Sequence, residues 1–126
     1  MKFNHTDYYA AQMGTNLKRK FISFSKAIPI QELYRIKLYT NRLETRFLMA
    51  KLRQVNIDPG YLDLAKLVLA TTKDYAHRIF LGKGIFAEIA LTYRANSFSP
   101  NEWTYPDYRS KEYIDIFNQI RKLYNS

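Results

Sequence analysis

The chain has no cysteine, which excludes disulfides, Cys-based zinc sites and thiol nucleophiles. That absence fits a reducing compartment. Histidine is scarce as well, with His5 and His77 alone among 126 residues. His5 sits close to the first residue, and His77 falls beside Lys73 and Arg78, where it reads as a surface residue rather than a general base. Asp74 and Arg78, four apart, read as a helix ion pair. Glycine and proline number only four each, so few positions are set to break a helix. Long apolar runs are missing: Leu67–Ala70 is far short of the roughly 20 residues that a membrane span requires. Met1–Asp7 has none of the apolar stretch of a secretory signal. These gaps lead us to expect a soluble, cytoplasmic protein without a membrane partner.

Acidic residues are the other shortage, eleven against twenty Lys and Arg, and they are unevenly spread. Residues 1–57 hold eleven bases and only three acids, Asp7, Glu32 and Glu44. Residues 58–126 hold nine bases and eight acids, so nearly all of the net charge of +9 lies in the first half. Like charges repel and weaken a compact state, so a concentration of this kind calls for a polyanionic partner. A pI near 9.8 satisfies the usual footprint of a nucleic-acid-binding domain. Eleven tyrosines are also present; they can close core edges or stack on unpaired bases.

Apolar spacing of three and four residues predicts a single all-α domain over residues 1–126. It would be a bundle of four principal helices plus a short fifth, with one long aromatic loop. The first helix is expected from Thr6 to Lys26, with Thr6 as N-cap and Ala10, Met13, Leu17, Phe21 and Phe24 inside. The second spans Pro29 to Gln54, with Leu33, Ile36, Leu43, Phe47 and Ala50 as its main apolar stripe. A further strip, Tyr34, Leu38, Leu48 and Leu52, is either buried too or an oligomer contact. The third runs from Pro59 to Leu81 and ends in a Gly82-Lys83-Gly84 C-cap. Ile85, Ile89 and Tyr93 mark a short helix. Asn96–Arg109 forms the loop, and Ser110 caps a last helix to Tyr124.

The second helix carries the clearest functional signal. At 100° per residue, Arg35, Arg42, Arg46 and Arg53 fall within about 20° of one line, which runs about 27 Å along the axis. Tyr39 lies within about 40° of that line, and Lys37, Glu44 and Lys51 lie opposite. Arginine grips phosphate with a planar fork, and an interleaved tyrosine suits base stacking. Lys18, Arg19 and Lys20 add positive charge on the first helix. In the loop, Phe98, Trp103 and Tyr105 are either a lid over the bundle end or a partner-binding loop.

No constellation for catalysis is visible. Glu88, Glu102 and Asp107 lack the spacing of an acid/base pair or a metal site, and Gly82-Lys83-Gly84 lacks the rest of a P-loop. We therefore expect no enzyme, no metal and no cofactor.

Arg35-Ile-Lys-Leu-Tyr-Thr-Asn-Arg-Leu-Glu-Thr-Arg-Phe-Leu-Met-Ala50, together with Leu62-Asp-Leu-Ala-Lys and His77-Arg-Ile-Phe-Leu-Gly-Lys-Gly-Ile85, resembles the second and third helices of a basic four-helix-bundle family. That family includes ribosomal intervening-sequence proteins and the accessory variability proteins of diversity-generating retroelements. The resemblance implies an oligomer that binds RNA or a reverse transcriptase. The expected function is non-enzymatic nucleic-acid binding, RNA slightly ahead of DNA, as an accessory to a larger nucleoprotein complex. The alternative is a small adaptor or inhibitor that docks on an acidic partner surface.

Overall fold

Seven β-strands and two α-helices form the described chain, which in the computed structural model comprises residues 5–9, 19–24, 26–49 and 56–124. β1 (His5–Tyr9) pairs antiparallel with β2 (Lys20–Phe24), Tyr8 opposite Phe21. A 3₁₀ turn over Ile30–Glu32 leads into α1 (Leu33–Met49). Five strands follow: β3 (Gly60–Leu62), β4 (Lys66–Thr71), β5 (Arg78–Gly82), β6 (Ile85–Arg94) and β7 (Ser97–Pro100). They form one sheet in the order β3-β4-β6-β5, and β7 pairs with the Leu91–Arg94 end of β6. A second 3₁₀ turn, Pro106–Arg109, precedes α2 (Lys111–Tyr124).

The all-α bundle is therefore overturned. The expected first helix is strand at both described ends, β1 and β2, and its 10–18 portion lies outside the described residues. The expected third helix is β3, β4 and β5, and the expected short helix is β6. The physical reason lies in the spacing itself. Residues four apart share a face of a helix, but they also share a face of a strand. Ile85, Ile89 and Tyr93 thus fit either structure. The second and last helices do form, the former described only to Met49.

The chain divides into two compact units. One comprises Ile28–Leu62 and Leu67–Ala90 and contains α1. Its core is Leu33, Val68, Ala70 and Ile85, with Tyr34, Leu38, Tyr61, Leu81 and Ala87 packed around it. Val68 and Ala70 alternate on β4, as Ile85 and Ala87 do on β6, so one face of the sheet receives α1. Val68 and Ile85 each contribute about 1.5–3 kcal/mol when fully buried, and the alanine methyls less. Tyr34 and Leu38, from the second apolar strip, thus belong to this core rather than to an exposed contact. Gly60 makes the β3–β4 crossing possible: a Cβ there would collide with the Val68 carbonyl oxygen and approach Leu69 Cδ2 to 2.9 Å. Gly60→Ala should lower stability by about 1–3 kcal/mol in urea titration; an unchanged midpoint would show that β3 shifts freely.

Gly82-Lys83-Gly84 is a hairpin turn between β5 and β6, not a helix C-cap. The left-handed freedom of glycine is used all the same, with φ of 140° at Gly82 and 78° at Gly84 flanking Lys83 at 53°.

The other unit comprises Met1–Ala27, Asp63–Lys66 and Leu91–Ser126. Here α2 begins as expected: the Ser110 hydroxyl accepts from Tyr113 N–H at 3.2 Å. Tyr113 and Phe117 form the buried face of α2. Phe21 meets both rings edge-on, at 4.8 and 5.4 Å between centroids, and Tyr108 lies parallel to Phe117 at 5.8 Å. Asn118 accepts from Phe98 N–H at 3.0 Å and so ties α2 to β7. The Arg121 guanidinium lies 3.5 Å from the Tyr93 ring centroid and donates to the Leu64 carbonyl at 3.0 Å.

Candidate nucleic-acid interface

One face of α1 packs inward. Leu33, Lys37 and Thr40 are buried at i, i+4 and i+7. Thr40 Oγ1 donates back to the Lys37 carbonyl at 3.0 Å. Further along that side, Glu44 Oε2 accepts from Ile57 N–H at 2.6 Å and pins the segment leading to β3. Of the charged residues expected opposite the arginines, Lys37 and Glu44 are thus engaged with their own unit, and Lys51 lies outside the described residues.

The outward face carries Arg35, Tyr39, Arg42 and Arg46, all exposed. Tyr39 keeps 57% of its surface open, enough for a ring to be stacked upon. Eleven residues separate Arg35 from Arg46, about 16 Å of helix. A shallow groove lined by Leu38, Asn41, Arg42 and Thr45 runs beside them. Arg35 differs from the other two. Its Nε donates to the Tyr34 hydroxyl at 3.0 Å and stands 3.5 Å from Glu32 Oε2. The Tyr34 hydrogen bond, then the Glu32 charge, hold its pKa above the usual arginine value. The face is therefore not wholly without an acid, because the preceding turn supplies one.

None of the other residues expected at the site falls within α1 as described. Arg53 and Lys18 lie outside the described residues. Arg19 is half-buried and bonded to Asp107 at 2.8 Å in the unit that contains α2. Lys20 begins β2, exposed, in that same unit. Neither Arg19, which immediately precedes β2, nor Lys20, which begins it, is helical. Phe98 is buried in β7 and packs edge-on against Tyr93 at 5.3 Å, so it is core rather than partner-binding. Trp103 and Tyr105 are exposed on the segment that follows.

The family model described as Domain of unknown function (DUF4416) matches residues 1–124. This chain belongs to that family. No curated protein and no solved structure matches it, and nothing found connects it to the helical-bundle families expected from the sequence.

One polar cluster of this DUF4416 chain escaped the sequence reading. Glu88 Oε1 accepts from Arg78 Nε at 3.0 Å and lies 2.6 Å from His77 Nε2. The Arg78 and Glu88 side chains are only 5% and 3% exposed, which makes this a buried ion pair. Arg78 also donates to the Lys73 carbonyl at 2.9 Å. Arg78 therefore pairs with Glu88 rather than with Asp74, whose Oδ1 accepts from Tyr75 N–H at 2.7 Å. The signal that could have found it is the Gly-Lys-Gly turn: read as a hairpin, it sets Arg78 opposite Glu88. Among the described residues no group of His, Cys, Asp and Glu is arranged to hold a metal ion, and no helix is long and apolar enough to cross a membrane.

Proposed function

We propose that this DUF4416 protein binds nucleic acid, RNA ahead of DNA, through the outward face of α1. The observation that carries the reading is the joint exposure of Arg35, Tyr39, Arg42 and Arg46 while Lys37 and Glu44 turn inward. Three arginines within about 16 Å can neutralise successive phosphates, and Tyr39 offers a ring to an unpaired base. The role is non-enzymatic and cytoplasmic, as an accessory to a larger nucleoprotein complex. A second reading, an adaptor on an acidic protein, draws on the exposed Trp103 and Tyr105.

Fluorescence anisotropy with a labelled single-stranded RNA separates the two. With three phosphates engaged, the salt slope should be about −2, so affinity falls roughly 20-fold between 50 and 200 mM salt. Arg35→Glu/Arg42→Glu/Arg46→Glu, with the fold checked by circular dichroism, should lose at least about 100-fold in low salt. Unchanged RNA and DNA affinity in that variant overturns the nucleic-acid reading and leaves the adaptor.

A further inference from the structure

Strand β5 is the longer of the two outer strands on the β3-β4-β6-β5 path; β3, at the other end, has only three residues. Among the described residues no strand pairs with the outer side of β5. Natural sheets protect such an edge with outward charge or proline, because unpaired N–H and C=O groups recruit other strands. β5 reads Arg78-Ile-Phe-Leu-Gly82, and its one charged side chain is turned into Glu88. Ile79 and Phe80 project to opposite faces and are 68% and 59% exposed. Phe80 has a neighbour on its own face, Phe86, with ring centroids 5.4 Å apart.

We propose that β5 is a dimer edge, along which two copies of this chain pair antiparallel about a two-fold axis at Phe80. Charge selects a second copy at this place. Nearly all of the net charge of +9 lies in residues 1–57, where two copies repel each other, so self-association needs a contact outside that stretch and without opposed bases. The β5 edge meets that need. Residues 79–82 are uncharged, and Arg78 is neutralised within its own chain. A two-fold contact is also self-complementary: Phe80 meets Phe80, Ile79 meets Leu81, and Arg78 meets Gly82. Lys83 comes opposite His77, outside the paired stretch. The two-fold contact occupies the β5 edge of both copies and so closes as a dimer, while the bulge between Phe80 and Gly82 confines the paired stretch.

The geometry has a consequence for binding, which rests on the nucleic-acid reading above. Opposed residues in an antiparallel pair project to the same face. Two copies joined at β5 form one ten-stranded sheet, five strands from each, with both α1 helices on the same side. Their arginine faces then point the same way, and one polyanion can engage six arginines instead of three.

A five-residue strand pair is smaller than a standard interface of about 800 Å² per partner, so the dimer should dissociate in the micromolar range. Sedimentation velocity of the whole chain, without nucleic acid and in 0.5 M salt, tests this between about 5 and 500 µM. The expected result is a shift from 15.0 kDa toward twice that mass as concentration rises. Phe80→Lys and, separately, Ile79→Lys should each weaken the dimer at least tenfold; both side chains are exposed, so the core is untouched. Arg42→Glu/Arg46→Glu should leave dimerisation unchanged while reducing RNA binding, which keeps the two readings distinct. A monomer throughout the range, or an oligomer that both lysine variants leave intact, overturns the proposal.

Discussion

Glu88→Ala should cost about 3–5 kcal/mol of folding stability, a large share of what a domain of this size possesses. The variant removes the Glu88 carboxylate from an Arg78 side chain that is only 5% exposed, and with it the acceptor 2.6 Å from His77 Nε2. Desolvation of Arg78 is then offset only by neutral partners, the Lys73 carbonyl at 2.9 Å and the Tyr75 ring at 5.4 Å, and this rather than a lost attraction sets the size of the effect. The double variant Arg78→Met/Glu88→Leu supplies the contrast. It removes both charges at similar volume and should lie within about 1 kcal/mol of the wild type or above it. Urea unfolding followed by circular dichroism measures both. A loss under about 1 kcal/mol for Glu88→Ala would mean that water reaches Arg78 readily, contrary to its burial.

Phe98→Ala should have a comparable effect, about 3–5 kcal/mol, because a large cavity opens beside Tyr93 and under α2. Phe98 is 1% exposed, and its N–H is held by Asn118. Trp103→Ala, five positions on, should cost about 1 kcal/mol or less, since 38% of that residue faces solvent. The pair divides a segment that in sequence looks like one aromatic loop into a core strand and an exposed turn. Equal losses for both variants would contradict that division.

How much was legible in the sequence varied with element length and with boundary chemistry. α2 could be read because Ser110 is a good cap and Tyr113 and Phe117 recur at helical spacing over fourteen residues. α1 could be read because its periodicity is sustained over seventeen residues, which no single strand matches. The strands were lost where apolar runs were short and four-residue spacing served both structures. Leu67-Val68-Leu69-Ala70 is a buried strand segment, yet its pattern fits a buried helix equally well. Ile85-Phe-Ala-Glu-Ile-Ala-Leu-Thr-Tyr-Arg94 contains Glu88 at a buried position, which breaks the polar-out alternation that would have revealed β6. Arg35, Tyr39, Arg42 and Arg46 could be placed on one exposed face because the helix beneath them is real. Arg19 and Phe98 could not be judged, because their surroundings come from residues distant in the chain, Asp107 and Tyr93 among them.

The Gly82-Lys83-Gly84 turn also bears on the order in which the sheet can assemble. Arg78 and Glu88 are ten residues apart, so the loop that joins them closes at small entropic cost. Hairpins of this size form on the order of 1–10 µs. Pairing of β4 with β6 must instead enclose the whole β5 hairpin, a longer and slower closure. Arg78 and Glu88 can therefore meet while water still surrounds them. Their dehydration is left to the later packing of the sheet, when the two charges already neutralise each other.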